Sequence, residues 1–298
     1  MKMDYFFGLS EEGFHHVAYT EWGKPNDSLL PIICVHGLTR QGRDFDSLAE
    51  YFSYLGCHLF CPDIVGRGDS DWLKNPLHYT YEQYIADMNA MIARTGVKQV
   101  DWIGTSMGGL IGMIMASLPN SPIRRLVLND IGPQIPIKAL NRLSKYAGKD
   151  PDFTSMNDAK RYFKLTYADF GNLSEEQWDH LTIHNIREIS PGKFISKTDH
   201  GVKMSPAKSK LAWNVLMNPH KALEGTLFDI DLWHIWRNVT CPVFVIHGEK
   251  SDILLPDIIR KMQQIHPDTT VLQIPDAGHA PVLMNQEEQK KIYQWLHN

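Results

Sequence analysis

A serine held between two glycines is the first group of residues in the sequence with a recognisable chemical use. Ser106 lies in the segment Gly104-Thr105-Ser106-Met107-Gly108, after a β-like apolar run at residues 100–104 and before an apolar helical pattern. At such a strand–turn–helix junction the serine backbone is strained, small neighbours are required, and the hydroxyl is presented at the carboxyl end of the sheet. The start of the helix adds partial positive charge where an oxyanion would form. We therefore predict that Ser106 is a nucleophile; the alternative is a serine that only caps the helix.

A serine hydroxyl attacks well only when a base removes its proton and a carboxylate orients that base. His279 follows the β-like run at residues 271–274 on a glycine-containing loop, and we predict that it is the base. Asp252 lies five residues past the run at residues 243–247, so its loop is long enough to reach the histidine. Asp130, directly after the run at residues 126–129, is the alternative carboxylate. The sequence favours Asp252, with Asp130 anchoring the next segment or contacting the substrate.

Backbone N–H groups near the serine can stabilise an oxyanion. The run at residues 32–35 ends in His36-Gly37-Leu38-Thr39-Arg40, where the glycine allows a sharp turn towards the serine. We predict that Leu38 and Met107 supply the oxyanion-hole N–H groups. His36 is expected to brace this loop and not to transfer protons.

Short β-rich runs alternate with helical patterns, which is typical of a mostly parallel sheet with helices on both faces. An antiparallel edge is predicted around residues 13–22. The remaining strand predictions are residues 32–35, 58–62, 100–104, 126–129, 243–247 and 271–274, and the helix predictions are residues 45–55, 84–92, 107–118, 256–265 and 286–296.

The alternation stops between residues 131 and 237, where helix and loop patterns with almost no strand signal indicate an insertion. We therefore predict a core domain formed by residues 1–132 and 238–298, and a helical lid at residues 133–237. The lid is rich in large aromatic side chains, most of which are expected to form its own core while a minority line a pocket. They are Tyr162, Phe163, Tyr167, Phe170, Trp178, Trp213, Trp233 and Trp236.

Composition narrows the possible functions. The chain has 298 residues, of which 43% are hydrophobic and 21% charged, and this excludes disordered, collagenous and coiled-coil classes. Thirty Lys and Arg residues against 34 Asp and Glu give a net charge of −4 without charge runs, so no nucleic-acid partner is predicted. The longest apolar stretch, residues 110–118, is too short to span a membrane. The N-terminus lacks signal-peptide features, and the four cysteines lie in or beside apolar runs, so a cytoplasmic location is expected.

Together these segments resemble the α/β-hydrolase superfamily, in particular its lid-bearing esterases and carbon–carbon hydrolases. The resemblance runs from about residue 30 to the C-terminus. More narrowly, Gly37-Leu38-Thr39-Arg40 and Leu128-Asn129-Asp130-Ile131-Gly132-Pro133 resemble a bacterial subgroup of this superfamily. The resemblance to the superfamily implies an α/β-hydrolase fold, a triad in the chain order Ser106, Asp252, His279, and a lid inserted in the core.

The resemblance implies a serine hydrolase that cleaves a small ester or related acyl compound through an acyl-enzyme on Ser106, without a cofactor or metal. Three alternatives remain: a carbon–carbon bond hydrolase of a vinylogous diketone, a non-catalytic ligand-binding module, and a cofactor-free peroxidase. His180 and His184 have i, i+4 spacing that could bind a metal. Because no third ligand is evident, we expect a solvated helix face there.

Overall fold

An eight-stranded sheet is the framework of the molecule, for which a computed structural model describes residues 1–202 and 229–298. In the described residues the strands are β1 (Lys2–Ser10), β2 (Gly13–Trp22), β3 (Ile32–Val35), β4 (Leu59–Pro62), β5 (Val100–Thr105), β6 (Ile123–Asn129), β7 (Gln134–Ile135), β8 (Ile186–Ser190), β9 (Lys193–Ser196), β10 (Ile230–Asp231), β11 (Val243–Gly248) and β12 (Thr269–Ile274). The large sheet has the order β1-β2-β4-β3-β5-β6-β11-β12. Strands β4, β3, β5, β6, β11 and β12 are parallel, and β1 and β2 form the predicted antiparallel edge. The first edge strand, however, lies earlier in the chain than we predicted.

Helices cover the sheet, and their ends follow recognisable capping signals. The described helices are α1 (Asp46–Tyr54), α2 (Tyr81–Arg94), α3 (Met107–Ala116), α4 (Ile137–Leu143), α5 (Met156–Thr166), α6 (Glu175–Asn185), α7 (Trp233–Trp236), α8 (Pro256–Ile265) and α9 (Gln286–His297). Thr80 caps α2 by accepting the N–H of Gln83, and Asn285 caps α9 in the same way. Within the two described ranges, no helix combines the length and apolar character needed to cross a membrane.

Strand β3 shows how the sheet separates two hydrophobic layers. Successive side chains of a strand point to opposite faces, so Ile33 and Val35 join one buried cluster while Ile32 and Cys34 join the other. Both faces of β3 are therefore covered, which explains why this strand is a continuous apolar run and not an alternating one.

The segment between β6 and β11 contains strands that we did not predict. β8 and β9 form an antiparallel hairpin, and β7 pairs with β10, placing Ile135 opposite Ile230. The expectation of helices and loops alone is therefore wrong. Gly192, between β8 and β9, was the turn signal in the sequence, and in the structure it adopts a φ of 72°.

The predicted lid aromatics divide between two clusters. Five of them belong to a separate hydrophobic cluster of the inserted segment: Tyr162, Phe163, Tyr167, Phe170 and Trp178. Trp233 and Trp236 instead pack into a cluster of the large sheet, so the expectation of a common lid core is wrong for these two. Trp213 lies outside the described residues, as does the rest of residues 203–228.

Candidate active site

The turn that carries Ser106 lies between β5 and α3, and close backbone packing determines its shape. Ser106 has a φ of 49° and a ψ of −110°, a strained combination for a residue with a side chain. A Cβ atom on Gly108 would lie 2.0 Å from the Val35 carbonyl oxygen, and one on Gly104 would lie 2.3 Å from the Gly108 carbonyl oxygen. The glycines on both sides are therefore needed for the strand and helix to approach each other this closely.

His279 connects the serine to a carboxylate. Its Nε2 lies 2.8 Å from Ser106 Oγ, and its Nδ1 lies 2.8 Å from Asp130 Oδ2. Because an ionised carboxylate only accepts hydrogen bonds, Nδ1–H donates to Asp130 and Nε2 is left to accept the serine hydroxyl. This is the tautomer that a general base facing Ser106 requires.

Asp130 directly follows β6, and it is completely buried. Its φ is 55°, and its N–H donates to the Ile246 carbonyl oxygen at 2.8 Å. Its carboxylate accepts the Gly248 N–H at 2.9 Å and the Ser251 hydroxyl at 2.6 Å. Burial acts to raise the pKa of Asp130, but the His247 and His279 rings and the Ser251 hydroxyl outweigh it, so the pKa lies below its ordinary value.

Asp252, which the sequence favoured as the partner of His279, pairs with Arg142 instead. Its two carboxylate oxygens accept from Arg142 Nε at 2.7 Å and Nη2 at 2.6 Å, and its side chain is 45% exposed. Arg142 belongs to α4 of the inserted segment. The prediction that Asp252 orients His279 is therefore wrong, because an arginine from a distant part of the chain holds this carboxylate while Asp130 contacts the histidine.

The two predicted oxyanion donors flank the serine. Met107 is the first residue of α3, so its N–H has no helical acceptor, and Leu38 follows β3 beside the same turn. His36 fixes the loop, since its Nδ1–H donates to the Gly37 carbonyl at 2.7 Å and its Nε2 accepts the Ile64 N–H at 2.9 Å. Burial lowers the pKa of His36 to about 3, and the ring is therefore a neutral brace, as predicted.

A cavity of about 60 Å³ opens beside Ser106 and His279. Its walls come from the loop after β3 and from the inserted segment, and its lining residues include Leu38, Arg40, Leu143, Tyr146, Tyr167 and Phe170. Tyr167 and Phe170 are thus the aromatics of the predicted minority that line a pocket. The serine therefore faces a small, largely apolar space that the sheet and the insertion build together.

The structure changes the prediction for His180 and His184. One ligand atom from each lies within 4.8 Å of the others and of an Asp46 oxygen, so these residues could hold a metal ion. The site is not a free ligand set, because Arg43 pairs with Asp46 at 2.6 Å and the Arg43 carbonyl accepts from His180 Nε2 at 2.9 Å. The expected solvated helix face is instead partly buried against α1.

Fold and site define a class of protein, and the comparison with known families agrees. A model of the α/β hydrolase fold family matches residues 31–285, so the chain belongs to this family.

Among its relatives is the 3-hydroxybutyrate-oligomer hydrolase of Cupriavidus necator, which is 37% identical over 93% of this chain and 91% of the relative. A solved structure from Rickettsia typhi has a TM-score of 0.86 and 33% identity, covering 99% of each chain. An α/β hydrolase from Novosphingobium aromaticivorans has a TM-score of 0.81 and 29% identity, with 99% and 97% coverage. These similarities support hydrolase activity for the chain.

Proposed function

We propose that this protein is a serine ester hydrolase with Ser106 as nucleophile, His279 as base and Asp130 as the carboxylate that orients the histidine. The observation that carries the proposal is the continuous hydrogen-bonded path from Ser106 Oγ through both ring nitrogens to Asp130, each bond 2.8 Å long. The donor and acceptor roles along this path suit removal of the serine proton.

The reaction proceeds in two balanced steps. Ser106 Oγ attacks the ester carbonyl while His279 Nε2 takes its proton, and the Leu38 and Met107 N–H groups stabilise the oxyanion. His279 then returns the proton to the departing alcohol, leaving an acyl group on Ser106. His279 Nε2 then takes a proton from water as the water oxygen attacks the acyl carbonyl, and it passes this proton to Ser106 Oγ as the acyl–oxygen bond breaks and the acid leaves. The lowered pKa of Asp130 keeps its charge beside the imidazolium that forms in each step.

A small ester fits the space beside the serine. The cavity lining is mostly apolar and aromatic, and part of it is contributed by the insertion. The relative from Cupriavidus necator is named for an oligomer of a hydroxy acid, whose units are joined by ester bonds. We therefore propose ester cleavage, and within it short hydroxy-acid esters as the first substrates to assay.

We also propose that residues 133–237 act as a lid over this substrate and that the protein works in the cytoplasm on a small molecule. The lid proposal is supported by Leu143, Tyr146, Tyr167 and Phe170, which line the cavity from the inserted segment. The location is supported by the four cysteines, all of which are free thiols.

The test is hydrolysis of short-chain p-nitrophenyl esters combined with labelling by a fluorophosphonate, which reacts with activated serines. We expect Ser106→Ala to abolish labelling and to lower kcat by roughly 10⁴–10⁶-fold. Ser117→Ala, at the end of the same helix, is the matched control and should keep both activities. Ester turnover close to wild type in the Ser106 variant would refute the proposal.

A further inference from the structure

Arg40 combines burial with an unsatisfied hydrogen-bond donor. Its Nε and Nη2 donate to the two Asp44 oxygens at 2.7 and 2.6 Å, and the side chain is only 5% exposed. Its Nη1 is buried and has no hydrogen-bond partner. A buried donor without an acceptor destabilises the protein, so a ligand that supplied an acceptor here would gain binding energy.

The Arg40 side chain is part of the cavity wall, and its aliphatic part lies near the turn that carries Ser106. Arg40 Cγ and Ser106 Cβ are each 3.7 Å from the point that a Cβ on Gly37 would occupy. On its other side, the Arg40 Cζ atom lies 4.8 Å from the centre of the Tyr167 ring and 5.5 Å from that of Phe170. Asp44 occupies one edge of the guanidinium, so Nη1 is the nitrogen that is left without a partner.

Other polar side chains that line the cavity already have partners. Thr39 Oγ1 and Tyr167 Oη bond to each other at 3.1 Å, and Tyr146 Oη accepts from Arg142 at 3.2 Å. Ser106 bonds to His279, and Thr105 Oγ1 accepts from Asn129 at 3.0 Å. Among the described lining residues, Arg40 is therefore the side chain with a buried polar atom left unpaired.

We propose that Arg40 Nη1 donates to an acceptor oxygen on the acyl chain of the substrate, and that Arg40 makes the enzyme specific for acyl groups bearing such an oxygen. The inference rests on the proposed ester hydrolysis and adds a substrate class to it. A guanidinium N–H is a charge-assisted donor, so it forms a strong hydrogen bond with a carbonyl or carboxylate oxygen. A plain alkyl chain would leave this N–H unpaired and would therefore bind less well. Because Asp44 balances the arginine charge, a neutral carbonyl suits the position better than a carboxylate.

Substrate entry gives the oxygen access to Nη1. Arg40 Nη1 is buried, so the acyl oxygen reaches it only when side chains that line the cavity move. The Tyr167 and Phe170 rings cover the guanidinium and belong to the inserted segment. Their displacement by the acyl chain exposes Nη1 to that chain.

The test compares p-nitrophenyl esters that share a leaving group and differ in the acyl chain. The 3-acetoxybutyrate ester carries a neutral carbonyl, the glutarate monoester a carboxylate, and the hexanoate ester neither. We expect wild-type kcat/KM to be highest for 3-acetoxybutyrate. The selectivity, defined as the kcat/KM ratio of 3-acetoxybutyrate to hexanoate, should fall roughly ten- to hundredfold when Nη1 is removed.

Removal of Arg40 alone would leave the partly buried Asp44 carboxylate without its cationic partner, so the informative comparison is Arg40→Met/Asp44→Asn against Asp44→Asn. Both variants lack the Asp44 charge, and they differ in the guanidinium. We expect Asp44→Asn to retain the selectivity and the double variant to lose it. A misfolded fraction lowers both rates equally and leaves their ratio unchanged.

The outcomes separate the two proposals. Equal kcat/KM selectivity in the two variants would overturn the role of Arg40. A wild-type enzyme with the same kcat/KM for the hexanoate ester and the 3-acetoxybutyrate ester would also overturn it, whether or not any variant folds. A preference for the glutarate ester would overturn the neutral-carbonyl assignment. If wild type cleaves none of the esters and resists fluorophosphonate, the serine hydrolase proposal itself fails.

Discussion

At the scale of single residues, the two carboxylate oxygens of Asp130 accept hydrogen bonds from several donors at once. Gly248, Ser251 and His279 all donate to it at distances of 2.6 to 2.9 Å. These bonds fix the carboxylate and favour its ionised form. The same bonds hold the imidazole in one tautomer, so the orientation of His279 depends on this residue.

The first residue-scale prediction compares Asp130→Asn with Asp252→Asn. We expect Asp130→Asn to lower kcat by about 10⁴-fold, since an amide facing Nδ1 leaves the ring in the wrong tautomer, as in the serine-protease precedent. Asp252→Asn should instead change KM, because Asp252 holds Arg142 of α4 and is 45% exposed. Steady-state kinetics on one short ester measures both, and the opposite ranking would return the acid role to Asp252.

A second prediction concerns pH and stability. The pKa of Asp130 is lowered in the folded protein, so its ionisation stabilises the fold above the ordinary carboxyl range, and that contribution is lost as pH falls through the lowered value. We expect the free energy of unfolding of wild type to decrease more than that of Asp130→Asn between about pH 6 and about pH 3. Urea unfolding at several pH values tests this. Parallel decreases in the two proteins would contradict the role assigned to the carboxylate.

The sequence predicted that Ser106 and His279 would come together, which the structure shows, but it did not predict which carboxylate contacts the histidine, and the reason is physical. Ser106 depends on local features, namely two glycines between a strand and a helix. The choice of acid depends on tertiary contacts, since β6 and β11 are neighbours and both present a carboxylate at the same sheet edge. Arg142 pairs with Asp252, and the Asp252 carboxylate is therefore held away from His279. The sequence spacing of these residues does not predict that contact.

At the scale of elements, the approach of α3 to β3 determines where the serine lies. Gly108 is the contact point, since any Cβ there would meet the Val35 backbone at 2.0 Å. We expect Gly108→Ala to lower the free energy of unfolding by about 2–3 kcal/mol through overpacking, and to reduce activity by moving Ser106.

Gly37→Ala is the matched control for stability, because its Cβ would have its nearest neighbours at an ordinary 3.7 Å. Chemical denaturation of both variants measures the difference. If Gly108→Ala and Gly37→Ala were equally stable, the backbone contact would not be what limits residue 108.

Elements were predictable from the sequence where their signal was local. The strand over residues 32–35 and the helix over residues 256–265 have the predicted ends, because one is a short buried apolar run and the other starts at a proline. The β8–β9 hairpin was missed because both strands are short and β8 is mostly exposed, which gives it little hydrophobic pattern. Its position depends on contacts such as the Phe153–Phe194 bridge.

At the scale of the whole molecule, the packing clusters distinguish the insertion from the sheet domain. The insertion has its own cluster around Phe163 and Trp178, while Trp233 and Trp236 complete the sheet cluster. The β7–β10 pair places Ile135 opposite Ile230, and both residues pack with the sheet cluster. The predicted lid boundary at residue 237 therefore includes a helix, α7, that packs with the core.

This arrangement predicts how the insertion can be removed. Replacing residues 137–228 by a short glycine–serine turn between β7 and β10 removes Ala139, Leu140 and Val202 from the sheet cluster but retains Trp236 and its 3.2 Å bond to the Met262 carbonyl, so we expect a folded but less stable sheet domain. The walls contributed by Leu143, Tyr146, Tyr167 and Phe170 would be lost, so we expect KM for esters to rise and acyl-chain preference to weaken, with lower kcat from water entry. Circular dichroism establishes folding, and kinetics over a series of acyl lengths measures selectivity. A folded truncated protein with wild-type kinetics across that series would mean that the substrate binds without the insertion.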